Sequence, residues 1–363
     1  MNFPLCTTIS MIQFGAMSTL ISHALKSVRL ARDSLVSVFY LMVAGLLPAL
    51  KIEIADLTGK TAIVTGANSG IGYSLALSLA KRNATVYLAC RSTSKAKQAA
   101  AQIIEACGES SSKRVRVFSL DTSSLDSVRA FAAAWGSQPI DILIHNAGIA
   151  STSADNRTTA EGLGTIYATN FLGSFLLTSL LEPNLSLNAR VILTSSTGQY
   201  SAAPRRLFTM PRLAPAPSKR DGSKSQPSDS ALYADTKFMQ VAFASLLQQR
   251  FDAAPNNRRL AHAFTPGYTF TPIFEKTTSL PGIVDPLYLV LKACTALSLP
   301  VEQGAATGLW LATTKDPEVI GIGSGGRYWD RCVRRSTAVD ALPEGELERM
   351  WHLWEVDAGA KWL

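Results

Sequence analysis

Two features of the 363-residue sequence predict an α/β fold with a doubly wound parallel sheet. From Leu57 onward short β-branched runs alternate with helix-length apolar patterns, and the first run ends in a glycine-rich turn that opens a helix. Such alternation requires a sheet with helices on both faces. Strands are expected at Lys60–Gly66, Ala84–Arg91, Val115–Asp121, Ile140–Gly148, Ala189–Ser196 and Leu260–Gly267. Helix patterns fall at Ile71–Lys81, at Lys95–Cys107 and between the later strands. The reading is a single Rossmann-type domain over residues 56–335, whose ligands bind beyond the carboxyl ends of the strands. An N-terminal apolar helical extension, residues 1–55, precedes it, and a helical tail, residues 336–363, follows.

Composition narrows the function. Apolar residues make up 47% of the chain, enough for a large buried core and against disorder. The formal charge of +8 invites a nucleic-acid partner, but much of it sits in one Pro/Ser-rich stretch. There Arg205, Arg206, Arg212, Lys219, Arg220 and Lys224 outnumber Asp221 and Asp229. Without stacking aromatics or finger spacing beside these bases, no nucleic-acid partner is expected. Cys6, Cys90, Cys107, Cys294 and Cys332 form no C-x-x-C pair, which favours reduced thiols. His23, His145, His262 and His352 lack ligand spacing, so no metal site is expected.

The extension has its own pattern. Met1–Leu25 carries no charged residue, and Lys26, Arg29 and Asp33 share one helical face. The uncharged run Ser34–Leu50 is slightly short of the ~20 residues of a spanning helix. A membrane anchor or interfacial helix is the preferred reading, and a buried helix covering the core is the alternative.

"TGANSGIG" (Thr65–Gly72) lies between the first strand and first helix. Gly66, Gly70 and Gly72 permit a sharp turn and a close backbone approach, while Asn68, Ser69 and Ile71 bring the helix N-terminus toward an anion. The spacing, in that strand-to-helix position, points to a dinucleotide. NAD-binding domains place an acid roughly 20 residues further on. Arg91 stands there instead, and Lys95 adds a second charge one turn later. A guanidinium binds a 2′-phosphate in bidentate fashion, so NADP(H) is the expected cofactor.

Tyr233 and Lys237 are four residues apart in a helix pattern and therefore neighbours on one face. Taken with "SLDTSS" (Asp121), Asn146-Ala147-Gly148, "ATNFLG" (Asn170), "LTSSTG" (Ser196) and "PGYTFT" (Pro266–Thr271), this order of motifs resembles the short-chain dehydrogenase/reductase family. "LPVEQGAATGLWLAT" and "GGRYWDRC" are similar to the retinol-dehydrogenase-like branch, which includes many membrane-associated members. The resemblance implies an enzyme with the tetrad Asn170, Ser196, Tyr233 and Lys237. Tyr233 would donate a proton to a carbonyl oxygen held by Ser196. Lys237 would lower the Tyr233 pKa and hold the nicotinamide ribose, and Asn170 would hold a water that relays protons to Lys237. Asp121 would contact the adenine, Asn146 and Gly148 would line the cofactor cleft, and Thr271 would reach the nicotinamide. Ser195 is the alternative to Ser196.

The sequence departs from compact family members in one place. Ser196 and Tyr233 stand 37 positions apart, with residues 199–229 inserted between them. Loop closure entropy grows slowly with length, so the tetrad survives such an insertion. The substrate pocket is left open by it. Retinoid-like and other isoprenoid, sterol and polyketide carbonyls remain candidates. A sterol-ketone reductase and a non-catalytic NADP-binding membrane scaffold are the alternatives. Ile283–Leu299 reads as core, lid or membrane contact, and the Leu347, Met350, Trp351 and Trp354 stripe as helix packing. Family habit suggests a homo-oligomer. Reduced cysteines and NADPH use suggest a catalytic domain facing the cytosol, at the endoplasmic reticulum or a lipid droplet.

Overall fold

The computed structural model describes residues 5–203, 227–269, 298–343 and 345–362. Eight strands form one sheet in the order β3-β2-β1-β4-β5-β6-β7-β8. They are β1 (Thr61–Thr65), β2 (Thr85–Cys90), β3 (Val115–Ser119), β4 (Ile140–His145), β5 (Leu185–Thr194), β6 (Leu260–Thr265), β7 (Arg327–Asp330) and β8 (Val333–Arg335). The first seven are parallel, and β8 returns antiparallel along β7. The central strands are buried end to end, as strands covered on both faces must be. The first six sit where the sequence put them, although β5 starts earlier, at Leu185. β7 and β8 were not foreseen.

Helices cover both faces. On one side α2 (Gly70–Lys81), α3 (Thr93–Cys107) and α8 (Val301–Thr313) pack Leu75, Leu79, Ile103 and Leu309 against Val64, Leu88 and Ile144. The short helix α9 (Pro317–Ile320) adds Val319 to this side. On the other lie α4 (Leu125–Trp135), α5 (Thr165–Tyr167), α6 (Gly173–Leu181), α7 (Asp229–Ala253) and α10 (Glu346–Ala358). A π-helical turn, Ala168–Leu172, joins α5 to α6. The chain leaves β1 for β2 and β3, then returns to β4 on the other side of β1. That reversal opens a crevice between the β1 and β4 ends, where such folds bind ligands.

The tail packs as its stripe predicts. Met350 and Trp354 are buried, and Trp354 lies 4.5 Å from the Phe171 ring. Arg250 of α7 rests 5.1 Å from Trp351 and 5.5 Å from Trp362.

The N-terminal segment forms α1 (Leu5–Met42) and then a 3-10 turn, Ala44–Leu46, so the uncharged run 34–50 is not one continuous helix. No helix among the described residues is long and apolar enough to cross a membrane. α1 docks through polar residues. Asp33 and Ser37 are buried, Ser37 Oγ donates to Asp330 Oδ2 at 2.7 Å, and Asp33 Oδ2 accepts from the Ser336 amide at 2.8 Å. Arg335 stacks on the Tyr40 ring. Leu25, Val28, Leu35, Phe39 and Met42 face outward. Asp33, which shares a helical face with Lys26 and Arg29, is thus part of the seam.

Of the inserted stretch, residues 204–226 lie outside the described residues. Its flanks do not: Thr197–Ser201 is a 3-10 turn, and Ser228 caps α7, so Asp229 already belongs to the helix. Ile283–Leu299 is likewise outside them except at Ser298 and Leu299, of which Leu299 is buried.

Candidate active site

The turn after β1 is built around close backbone approaches. Gly66 has φ +67, and a Cβ there would come within 2.9 Å of Ala147 Cα. A Cβ on Gly72 would meet the Gly66 carbonyl oxygen at 2.4 Å. No other residue fits either position without displacing backbone. Gly70 begins α2, with Ser69 as its N-cap, while Asn68 and Ile71 flank the turn. The N-terminal amides of α2 are available to an anion. Thr65 Oγ1 accepts from the Asn146 and Ala147 amides at 2.9 and 3.0 Å, and Asn146 Nδ2 donates to Thr65 O at 3.1 Å. Asn146 therefore ties the β1 and β4 ends together beneath the crevice. Cys90, at the end of β2, is buried under the same turn. Burial pushes its thiol up to about 11, opposed by bonds from the Ala67 and Asn68 amides.

Arg91 follows Cys90 and projects into solvent, with its guanidinium 4.0 Å from Asp121 Oδ2. Asp121 is held in turn by the Ser123 amide and hydroxyl at 2.9 and 2.6 Å. Lys95 lies exposed in the first turn of α3, which Ser92 caps. The three charged residues follow the carboxyl ends of β2 and β3, on one side of the crevice. These groups fit an anionic dinucleotide: tight glycine backbone, helix amides and two cations.

Ser196, Tyr233 and Lys237 meet at the other end. Ser196 follows β5 and caps the 3-10 turn, its Oγ accepting from the Gly198 amide at 3.1 Å. Its neighbour Ser195 is turned inward, donating to the Lys237 carbonyl at 2.7 Å. Ser195 is thus structural, which leaves Ser196 to the crevice. Burial pushes the Tyr233 phenol up to about 12, opposed by a hydrogen bond with Ser196. Lys237 Nζ lies 5.3 Å from the centre of the Tyr233 ring and donates to Thr194 O at 2.8 Å and Gln240 Oε1 at 3.3 Å. Burial pushes Lys237 down to about 7. The expected lowering of the phenol by Lys237 is not found in this arrangement, because burial dominates both groups.

Asn170 occupies the π-helical turn and is fully buried. Its Oδ1 accepts from the Ile149 amide at 2.8 Å, and its Nδ2 donates to Ile149 O at 2.9 Å and Thr236 Oγ1 at 3.1 Å. This grip fixes Gly148, where a Cβ would stand 3.6 Å from Lys237 Nζ. The Asn170 carbonyl accepts from Gln240 Nε2 at 2.7 Å. Thr271, expected at the nicotinamide, lies outside the described residues. Sequence reasoning missed Gln240, Thr65 and Cys90. Gln240 is one turn from Lys237 on the same helix face, a spacing that could have flagged it.

A doubly wound sheet with a glycine turn at its switch point and a Ser-Tyr-Lys cluster beside it defines a dinucleotide-dependent oxidoreductase class. The short chain dehydrogenase model matches residues 60–206. The chain is 36% identical to human dehydrogenase/reductase SDR family member 13, over 82% of this chain and 72% of that protein. It is 30% identical to human retinol dehydrogenase 14, over 83% of this chain and 87% of that protein. An uncharacterized protein from Mycobacterium Paratuberculosis superposes with TM-score 0.63 and 27% identity, covering 86% of this chain and 97% of that one. The chain belongs to the short-chain dehydrogenase/reductase family, in its retinol-dehydrogenase-like branch.

Proposed function

We propose that this oxidoreductase uses NADP(H) to interconvert a ketone or aldehyde and its alcohol on a lipophilic substrate at a membrane surface. The carrying observation is the cluster in which the Ser196 hydroxyl bonds the Tyr233 phenol with Lys237 behind the ring. The cofactor supplies or accepts a hydride. In reduction, Tyr233 gives its proton to the carbonyl oxygen, and its raised pKa keeps that proton in place throughout the physiological range. Ser196 hydrogen-bonds the same oxygen as negative charge develops there. Lys237 has three N–H donors and two acceptors among the described residues, which leaves a donor for a ribose hydroxyl. Arg91, beside Asp121 and near Lys95, supports the 2′-phosphate preference.

A lipophilic substrate is favoured by α1. Its outward Leu25, Val28, Leu35, Phe39 and Met42, flanked by exposed Lys26, Arg29 and Arg32, suit an interfacial helix on an anionic lipid surface. Its inner side packs against Thr197–Ser201, the turn that Ser196 begins. Substrate would then reach the site from the lipid phase. Isoprenoid or retinoid, sterol and polyketide carbonyls of lipid or secondary metabolism all fit this description, and similarity to retinol dehydrogenase 14 favours the first.

The test is NADPH and NADH oxidation by the detergent-solubilised protein across retinal, sterol ketones and aromatic polyketide ketones. Turnover is expected with NADPH, and Arg91→Ala is expected to lower the NADPH-over-NADH preference about tenfold or more. NADPH binding without turnover on any substrate would replace this reading with that of a scaffold. Equal use of the two cofactors would remove the NADP(H) assignment.

A further inference from the structure

Gln240 is fully buried on α7, three residues after Lys237, and no apolar neighbour needs an amide there. Its side chain spans two groups of opposite hydrogen-bonding character. The Lys237 ammonium only donates and the Asn170 carbonyl only accepts, so the orientation of the amide is fixed by chemistry: Oε1 toward Lys237 at 3.3 Å, Nε2 toward Asn170 at 2.7 Å. Leucine could make neither bond. Glutamate in its ionised form could accept but not donate, and asparagine is one methylene short.

The bridge closes a ring of contacts around the ammonium. Gln240 holds the Asn170 carbonyl, the Asn170 side chain holds both backbone groups of Ile149, and Gly148 beside them faces Lys237 Nζ. Thr194 at the end of β5 supplies the other acceptor. Tyr233 is the titratable group beside Lys237, and the walls from β5, the loop after β4 and the π-helical turn present Thr194, Gly148 and Asn170, none of them charged. Among the described residues, the partners that favour the charged amine are therefore the two oxygens of Thr194 and Gln240. Burial works against that charge.

We propose that Gln240 is a positioning residue that clamps Lys237 to the π-helical turn and, as an acceptor, favours its charged amine against burial for cofactor binding. The assignment rests on the proposed role of Lys237 at the cofactor. An amide that spans the ammonium and the carbonyl gives this link a fixed length, which a bridging solvent molecule would not. With the Asn170–Thr236 bond and the Phe171–Phe243 contact, the clamp holds the π-helical turn and α7 in register at the site.

The experiment titrates Lys237 directly. The cofactor-free protein is labelled with 13Cε-lysine, Lys237→Met assigns the signal, and the midpoint is followed in wild type, Gln240→Leu and Gln240→Glu. Loss of the acceptor in Gln240→Leu is expected to lower the midpoint by about half a pH unit or more, and the carboxylate of Gln240→Glu to raise it by a similar amount. The alkaline limb of NADPH-dependent turnover should move with each midpoint. A residue that merely fills the core would lower the melting temperature in both variants and move neither midpoint, and that result overturns the proposal. Midpoints that shift in opposite directions in a wild type with no turnover would keep the clamp and remove the enzymatic reading. Turnover with unmoved midpoints would do the reverse.

Discussion

Asp33–Ser37 on α1 and Tyr233–Lys237 on α7 are both polar pairs four residues apart on a helix, and each pair buries polar groups. They differ in what satisfies them. Asp33 and Ser37 are matched by the chain's own groups, the Ser336 amide and the Asp330 carboxylate, and Arg32 and Arg335 add charge. Tyr233 is half-buried and Lys237 buried, with hydrogen-bonding capacity turned toward the crevice. A buried polar pair completed by its own fold is a lock, whereas one with capacity to spare is a site. Asp33 is held below the ordinary carboxylate range: burial opposes this, but bonds from Ser336 and Arg32 outweigh it. Lys237 is pushed away from its charged form by burial.

The largest effect that separates the pairs is on rate. Tyr233→Phe removes the proton donor and is expected to lower NADPH-dependent turnover about a hundredfold or more, with little change in melting temperature. Asp33→Ala with Ser37→Ala leaves the Ser336 amide unmatched, which costs roughly 1–3 kcal/mol and should appear in the melting temperature. Turnover of the double variant should stay within about tenfold of wild type when compared at equal folded fraction. A hundredfold loss there, with the melting temperature unchanged, would mean that the α1 seam shapes the site through the turn after Ser196.

The same contrast explains what the sequence made legible. The glycine turn and the Tyr-x-x-x-Lys pair are local patterns whose meaning depends on chain neighbours, and the six strands foreseen carry β-branched or apolar runs, polar only in part in β3. Ser196 could be told from Ser195 only by resemblance; the structure adds the reason, since Ser195 is spent on the Lys237 carbonyl. β7 and β8 were invisible because "RYWD" and "VRR" are too short and too polar to read as strands, and they are strands through pairing with β6 and each other. The role of Asp33 was not legible for a related reason. Its distant partners, Arg335 and the Ser336 amide, lie some three hundred positions away, and no periodicity along α1 reports them.

A second and smaller effect tests the outer face of α1. Because Asp33 and Ser37 dock the helix from its inner side, charge placed on the outward stripe should spare the fold. Leu35→Glu with Phe39→Glu is expected to lower co-flotation with vesicles containing anionic lipid about tenfold, while the melting temperature stays near wild type. Wild type should float less with neutral vesicles, since Lys26, Arg29 and Arg32 contribute only where the surface is negative. Equal flotation of wild type and the double variant would remove α1 as the contact. A change in oligomeric state in place of flotation would assign the stripe to a second copy of the chain.

The smallest effect is also the most specific, because the two pairs shift stability in separate pH windows. Lys237 titrates near 7 in the folded chain against 10.5 for an ordinary lysine. Between those values the unfolded chain binds a proton that the folded chain lacks, so this group makes stability rise with pH across that window. The melting temperature of the cofactor-free wild type should therefore gain on that of Lys237→Met as pH rises from about 7 toward 10.5. Asp33 acts in the same sense but in an acid window: its contribution is present above the ordinary value of 3.8 and is lost as pH falls through its lowered value. Asp33→Asn should accordingly melt below wild type at neutral pH and converge with it in acid. Curves for Lys237→Met that stay parallel to wild type through the alkaline range would mean that the amine keeps its proton throughout, and that the pair on α7 is as fully satisfied as the pair on α1.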